Sequence, residues 1–316
     1  MEPTSRDPGD PGDPVRLDEL EASLAPTHHL AWERGRRNGT VRRFDPVGDD
    51  AVPVLVKQLA GDLYGPATMA RLLAELGAVA GSPLAPRLLA WGEEPPYLAY
   101  EFVPGPLVSE ELDRLAAATV DLEVVCDLAR SAGSLLARFH RLAPRPPEAA
   151  AHDPAASRLL ARSLRWAGAN WDAPSDHVRS VLDPGGNNLV VTATGELRMI
   201  DLPGRAELRP RVLDAAMAAQ RIGREARRAR RRAGGRTAGV AERVAAAVRA
   251  GYETEQGHPL DDAAFDAVLA ASAAQLATKY LRRPTPGWSR REALADARWA
   301  LASAARGRLR RSRRRR

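Results

Sequence analysis

Residues 181–201, VLDPGGNNLVVTATGELRMID, combine two short runs of strand-forming residues with a tight set of polar side chains. Asp183 and Asn188 bracket a Pro-Gly-Gly turn, and Asp201 ends a run that we expect to pair with the run beginning at Leu189. Such a hairpin brings a loop carboxylate, a loop amide and a strand-end carboxylate close together at one end. Proteins usually hold Mg²⁺ with one or two carboxylates and substrate phosphates, so these oxygen ligands suit that ion. Because Asp, Asn, Pro and Gly are also good turn formers, a hairpin that binds no metal is the alternative.

The residues before this segment predict a small α+β lobe. Three runs, HLAWERG, GTVRRFD and VPVLVKQL, are separated by turn-prone residues and indicate three antiparallel strands. Residues 66–81 carry apolar side chains at helical spacing and predict one amphipathic helix. Two further strands, PRLLAWG and YLAYEFV, precede the break Pro104-Gly105-Pro106. The predicted order is β-β-β-α-β-β before a hinge.

The residues after the hinge are predicted to be mainly helical. Apolar periodicity predicts helices at residues 109–118, 122–142 and 155–169, and the chain from residue 213 onwards is rich in Ala, Leu and Arg. We therefore expect a disordered acidic segment at 1–26, an N-lobe at 27–104, a helical C-lobe with the catalytic loop at 105–300 and an Arg-rich tail at 301–316.

The composition favours a globular chain without membrane-spanning segments. Hydrophobic residues make up 44% of the 316 residues, yet no run of about 18 apolar residues occurs. The first residues are acidic and rich in Pro and Gly, unlike a signal peptide, so we expect a cytoplasmic protein. The single cysteine, Cys126, lies in an apolar-periodic segment and is expected to be a buried thiol.

Two arginine segments account for the net charge of +7. Residues 306–316 contribute +8 and residues 221–236 contribute +7, which leaves −8 for the rest of the chain. Only Lys57 and Lys279 are lysines among the 47 basic residues. A lysine in such a background can mark a position that needs a compact ammonium group, with chance retention on a surface as the alternative.

Lys57 lies mid-strand in VLVKQL, where an isolated charge among apolar residues requires a partner. Glu75 is the only acid in the following helix, and a strand lysine and a helix glutamate separated by one loop can form an ion pair. Phosphoryl transfer needs a cation on the nucleotide phosphates, an acid that holds this cation, a base for the acceptor hydroxyl and metal ligands. Lys57 and Glu75 are candidates for the first two of these groups.

Taken together, these residues resemble the aminoglycoside phosphotransferase family of the protein-kinase-like superfamily, over roughly residues 28–220. The resemblance implies an α+β, two-lobed protein-kinase-like fold, with a small five-stranded N-lobe that has one helix and binds nucleotide, and a mainly helical C-lobe. It also implies transfer of the γ-phosphate of ATP, with Mg²⁺, to a hydroxyl of a small molecule. Members of the family phosphorylate antibiotics, amino alcohols and sugars, so the acceptor stays open.

The family's functional residues match five positions. A strand lysine that contacts phosphates and its helix glutamate match Lys57 and Glu75. A loop aspartate followed five positions later by asparagine matches Asp183 and Asn188, which implies a catalytic base and a metal ligand. The strand-end Asp201 matches the second metal ligand.

Further matches concern the nucleotide and the support of the loop. The run YLAYEFVPGPL resembles the family's hinge, which implies that backbone groups from Glu101 to Val103 meet the adenine. The turn ERGRRNGTV resembles the phosphate-covering turn, with Gly35 and Gly39. By the same resemblance, His140 in LLARFHRL is expected to be structural, and Asp214 in RVLDAAMA is expected to brace the catalytic loop.

Two departures from the family's pattern leave a second hypothesis open. The family usually has His-Gly before the loop aspartate, whereas Val181-Leu182 precede Asp183 here, and Pro203-Gly204 replace the usual residues after Asp201. A nucleotide-binding pseudokinase that acts as a scaffold is therefore the alternative to an active enzyme.

The arginine segments suggest a third hypothesis, which is binding to nucleic acid or to an anionic membrane surface. The tail is expected to be solvated, with at most weak contact to anionic polymers or membranes. No nucleic-acid-binding motif accompanies it and aromatic residues are only 5% of the chain, so we expect no specific nucleic acid partner. Residues 221–236 predict a helix with arginine around most of its circumference, which either attracts an anionic acceptor or is an exposed surface helix.

Overall fold

The computed structural model describes most of the chain, and its described residues form two compact units. The described residues are 12–36, 39–48, 51–59, 66–78, 83–143, 177–181, 183–201, 208–282, 294–295, 297–299, 301–302 and 305. The N-terminal unit takes its residues from Met1–Gly105, Leu142–Pro144 and Val190–Ala206, and the C-terminal unit from Pro106–Arg141, Arg145–Leu189 and Glu207–Arg316.

The N-terminal unit is built on a five-stranded antiparallel sheet with the order β1-β2-β3-β5-β4. Helix α2, Pro66–Gly77, packs on β4 and β5 through its apolar face. These elements confirm the predicted order of five strands and one helix. The strands are β1 His28–Arg36, β2 Gly39–Pro46, β3 Val54–Leu59, β4 Leu88–Glu93 and β5 Pro96–Glu101.

One face of this sheet is covered by helix α1, Leu17–Leu24. Leu20 is buried against the sheet, with Leu17 and Leu24 packed around it. The sequence-based expectation of disorder across residues 1–26 is therefore wrong for this helix, because three leucines at helical spacing suffice to cover an apolar sheet face. Residues 1–11 lie outside the described residues. The sheet residues beneath α1 are Val54, Val56, Ala90, Tyr97 and Ala99.

Helices make up most of the C-terminal unit, and α5 is at their centre, packed against α3, α6 and α7. The predicted helices at 109–118 and 122–142 are confirmed, whereas the one predicted at 155–169 lies outside the described residues. The unit also contains a short antiparallel strand pair, β6 His177–Arg179 with β9 Leu208–Pro210. The helices are α3 Val108–Ala117, α4 Leu122–Leu142, α5 Arg211–Arg232, α6 Val240–Gln256 and α7 Asp262–Arg282.

The inner arginine segment forms the second half of α5 and is not a free surface helix. Ile222, Ala226 and Ala229 are buried, and Arg224 is only 9% exposed. The alternative of an exposed helix is therefore wrong for this part of the segment, since its apolar residues at helical spacing pack into the helical core. Residues 306–316 lie outside the described residues.

The predicted hairpin after the site loop is present. A 3₁₀ turn, Gly186–Asn188, leads into β7, Leu189–Val191, which pairs with β8, Leu197–Met199. Gly105, in the predicted hinge, has φ +139°, and a Cβ there would overlap the Val191 carbonyl oxygen. Only glycine fits this position, because both the backbone conformation and the close approach exclude a side chain.

None of the described helices is long and apolar enough to span a bilayer.

Helices α4 and α6 contact each other backbone to backbone. A Cβ at Gly133 would overlap the Val248 carbonyl oxygen, and one at Gly251 would overlap the Arg130 carbonyl oxygen. Gln256 Nε2 also donates to the Ala137 carbonyl at 2.9 Å. Small residues therefore set the spacing of these two helices.

We expect Gly133→Ala to lower the free energy of unfolding by at least about 1–3 kcal/mol, because a methyl group at that position forces α4 and α6 apart. Urea unfolding followed by circular dichroism measures this change. Gly48→Ala is the matched control, since a Cβ there meets no atom within 4 Å. Equal unfolding midpoints for the two variants would contradict the close packing.

Candidate active site

The loop between β6 and β7 carries Asp183 and Asn188. The Asp183 N–H donates to the Val181 carbonyl at 2.7 Å, and the Gly185 N–H donates to the Asp183 carbonyl at 2.9 Å. Asn188 Nδ2 donates to the same Asp183 carbonyl at 2.9 Å. The loop therefore folds back on itself and joins the two predicted site residues directly, while the Asp183 side chain stays 59% exposed.

Asp214 attaches the start of this loop to α5. It lies in the first turn of that helix and is fully buried. Its Oδ1 accepts a hydrogen bond from Ser180 Oγ at 2.8 Å, and its Oδ2 accepts one from the Val181 N–H at 2.7 Å. A buried carboxylate is tolerated when such donors replace its water. The implied bracing role of Asp214 is confirmed.

His140 links this carboxylate to two further helices. Its Nε2 donates to Asp214 Oδ2 at 3.3 Å, and its Nδ1 is hydrogen-bonded to the Tyr252 hydroxyl at 2.7 Å. The side chains of His140 and Asp214 are completely buried. Because both ring nitrogens are engaged inside the core, His140 is a structural residue, as expected.

Two residues of α5 that were not among the predicted site residues contact the same loop. Arg221 Nη1 forms an ion pair with Asp183 Oδ1, and Glu225 Oε2 accepts the Gly186 N–H at 3.1 Å. Residues 214, 221 and 225 are seven and four positions apart, so they share one face of the helix. One face of α5 thus holds the loop at three successive points. That spacing, with Glu225 as the only acid among arginines, was the available signal in the sequence.

Close packing around Gly186 fixes the middle of the loop. A Cβ there would overlap Glu225 Oε2 and come within 3.1 Å of the Ser109 nitrogen at the start of α3. Ser109 Oγ also donates to Asn187 Oδ1 at 2.6 Å. The Pro-Gly-Gly turn predicted from sequence is therefore held between two helices.

Burial raises the pKa of the Glu225 carboxyl. Arg224, Arg221 and Arg228 and the Gly186 N–H act in the opposite direction, but the loss of water has the larger effect. Glu225 therefore takes up a proton more readily than an exposed glutamate does.

The N-terminal unit brings Lys57 and Asp201 together. Val54 and Val56 face α1, so the alternation of side chains along β3 places Lys57 on the opposite face of the sheet. Its ammonium group forms an ion pair with the Asp201 carboxylate, with side-chain exposures of 21% and 50%. A pair this exposed contributes little to stability, so another anion can replace Asp201 as the lysine's partner at small cost.

The remaining predicted site residues also lie in this unit. Glu75 is partly buried on α2, and its ion pair with Lys57 stays a prediction. Glu101 ends β5, where its carboxylate accepts a hydrogen bond from Arg87 Nε at 2.8 Å. Val103 lies two residues further on and is buried. Gly35 and Gly39 flank the β1–β2 turn, and residues 37–38 between them lie outside the described residues.

Comparison with known families identifies the family of the chain. The sequence model of the phosphotransferase enzyme family (APH) matches residues 57–252. This range includes the candidate site residues Lys57, Asp183, Asn188 and Asp201. The chain belongs to this phosphotransferase enzyme family. No curated protein matches the chain closely enough to count as a relative.

Solved structures confirm the fold. A glucosamine kinase in complex with glucosamine, ADP and inorganic phosphate matches with a TM-score of 0.58 and 21% identity, covering 93% of this chain and 86% of that chain. A glucosamine kinase in crystal form A matches with a TM-score of 0.53 and 18% identity, covering 91% of this chain and 79% of that chain. The predicted α+β, kinase-like fold is confirmed.

Replacing the bracing carboxylate should release the loop. We expect Asp214→Asn to lower the free energy of unfolding by about 2–4 kcal/mol, because the amide loses the charge that faces three buried donors. Thermal unfolding followed by circular dichroism measures this loss. Asp127→Asn is the control, since Asp127 is 67% exposed and pairs with Arg130 on the same helix. A loss no larger than that of the control would contradict the bracing role.

The raised pKa of Glu225 predicts a pH dependence of stability. The folded protein binds the Glu225 proton more tightly than the unfolded chain does. Proton binding at Glu225 therefore stabilises the folded protein fully below the ordinary glutamate pKa, and this contribution is lost as pH rises through the folded pKa. A glutamine at this position does not titrate, so Glu225→Gln should gain stability relative to the parent as pH rises from about 4.5, the ordinary value. Urea unfolding between about pH 4 and 8 tests this, with the exposed Glu196→Gln as control. A parent that gained stability over Glu225→Gln with rising pH would contradict it.

Proposed function

We propose that the protein transfers the γ-phosphate of ATP to a hydroxyl group of a small molecule. The observation that carries this proposal is the loop that joins Asp183 to Asn188 and is held along one face of α5. A carboxylate that accepts a hydroxyl proton must be positioned within hydrogen-bond distance of it, and a rigid loop provides that position. The complex of the structurally similar glucosamine kinase with ADP supports ATP as the donor.

In the proposed reaction, Asp183 orients the acceptor hydroxyl and takes its proton. The hydroxyl oxygen then forms a bond to the γ-phosphorus while the bond between this phosphorus and the ADP oxygen breaks. Lys57 would contact the phosphates of ATP, exchanging its pairing with Asp201 for them. Rate then comes mainly from positioning and from neutralisation of charge on the transferred group.

Asn188 and Asp201 are the residues that would hold Mg²⁺, and the ion would supply positive charge to offset the charge of the phosphates. The Asn188 amide nitrogen is engaged by the Asp183 carbonyl, so the amide oxygen is the atom that it would offer to a metal. In the described part of the chain, no three His, Cys, Asp or Glu side chains gather as a metal site. Mg²⁺ fits this sparse set, because it keeps waters and substrate phosphates among its ligands.

A second candidate is a nucleotide-binding pseudokinase that acts as a scaffold. Val181 and Leu182 stand before Asp183 in place of the family's usual His-Gly. The Asp183 carboxylate is moreover engaged by Arg221, so an acceptor hydroxyl must share this carboxylate or displace the arginine.

Separate measurements of turnover and nucleotide binding test the assigned roles. We expect Asp183→Asn to lower ADP formation with any accepted compound by about 10²- to 10⁴-fold and to leave MgATP affinity nearly unchanged, because a general base contributes to the transition state.

Lys57→Ala should instead weaken MgATP binding measured by calorimetry, and EDTA should abolish that binding.

Asp113→Asn is the matched control for Asp183→Asn, because Asp113 is also an exposed partner of an α5 arginine, Arg232. Parental turnover in Asp183→Asn would refute the role of this residue as the base. Tight MgATP binding without turnover of any compound in a panel of hydroxyl-bearing metabolites would favour the scaffold.

A further inference from the structure

The Asp183 carboxylate has a cation directly against it. Arg221 Nη1 contacts Asp183 Oδ1, and the Arg221 side chain is 25% exposed. A Cβ added at Gly185 would lie 3.5 Å from Asp183 Oδ1 and 3.6 Å from Arg221 Cδ, so both side chains lie over this glycine. The guanidinium is therefore part of the surface at which Asp183 acts.

The surrounding face of α5 adds to this positive charge. Arg221, Arg224 and Arg228 all act electrostatically on Glu225. Three guanidinium groups therefore lie close to the Glu225 carboxylate on this face. Because burial favours the protonated form of Glu225, its negative charge is further reduced.

An acceptor hydroxyl that donates its proton to Asp183 must lie within about 3 Å of that carboxylate. Since Arg221 contacts the same carboxylate, the neighbouring atoms of the acceptor come within reach of the guanidinium. An ammonium group there is repelled by Arg221, whereas a carboxylate or phosphate is attracted. A guanidinium has five N–H donors in a planar fork, so it can hold one carboxylate and a second anion together.

We propose that Arg221 is an anion-binding residue beside Asp183 and that the acceptor is a hydroxyl compound carrying a carboxylate or phosphate group. This inference rests on the proposed function, since it takes Asp183 as the position of the acceptor hydroxyl. It assigns Arg221 the selection of the acceptor by charge, and it disfavours amino sugars and amino alcohols as substrates.

Two matched series of hydroxyl compounds test the inference through kcat/KM for ADP formation. One series is glucose, glucosamine, glucuronate and glucose 6-phosphate, and the other is glycerol, serinol, glycerate and glycerol 3-phosphate. In at least one series we expect an anionic member to exceed the neutral and cationic members by about tenfold or more, because a charge-assisted hydrogen bond is worth about that factor. The carboxylate and phosphate members show which anion is preferred.

Arg221→Gln should lower kcat/KM for the anionic compound about 10- to 100-fold, mainly through KM, and should leave the neutral compound of that series much less affected. Arg221→Lys should restore part of the loss, because it keeps the charge without the planar fork. Arg232→Gln is the control on the same helix, where Arg232 pairs with Asp113, and it should behave as the parent does.

Preference for a neutral or cationic compound would overturn the inference while leaving phosphotransfer itself established. So would an equal change for all compounds in Arg221→Gln, which would show only that Arg221 restrains Asp183. If no compound is turned over, calorimetric binding of the anionic compounds decides: binding lost in Arg221→Gln supports the anion site, and absent or equal binding overturns it. Failure of the parent to bind MgATP would refute the proposed function separately.

Discussion

The buried Asp214 carboxylate is the constraint on which the rest of the candidate site depends. A charge without water must be matched by donors, and this carboxylate takes them from the Ser180 hydroxyl, the Val181 backbone and His140. Ser180 and Val181 lie at the start of the site loop, and His140 lies on α4. The electrostatic requirement of one side chain therefore fixes where the loop leaves the helical core, and Asp183 follows two residues after Val181.

Helix α5 both packs the C-terminal unit and holds the site loop. Its small apolar residues let α3, α6 and α7 approach closely, and Ala219 and Ile222 are almost completely buried. The face with Asp214, Arg221 and Glu225 holds the site loop along its length. Since the helix is packed on several sides, it cannot move to follow the loop. The site is thus positioned by the same packing that stabilises the unit.

The charged residues of the candidate site are paired with one another. Lys57 pairs with Asp201 in the N-terminal unit, and Arg221 pairs with Asp183 in the C-terminal unit. Both pairs are partly exposed, where ion pairs contribute little net stability because water competes for each charge. Such pairs can therefore exchange partners with an anionic or hydroxyl-bearing ligand without a large cost to the fold. A ligand then binds to charged groups that are already in place.

Local patterns explain why much of this chain could be predicted from its sequence. The five strands, α2, α3 and α4 follow from alternation and helical periodicity, and the hairpin after the site loop follows from turn-forming residues. The contact of Asp183 with Asn188 has the same origin, because their five-residue spacing lies within one turn of chain.

Long-range contacts had to come from the tertiary structure. Lys57 and Asp201 are 144 positions apart, and Gly186 and Glu225 are 39 apart, so no local rule indicates that they meet. Similarly, α1 becomes ordered only because the sheet offers an apolar face to cover. The sequence by itself determined the elements and the chemical groups of the candidate site, because periodicity and turn chemistry act over a few residues. Only the tertiary structure decided which charges face one another, because that depends on how whole helices and strands pack.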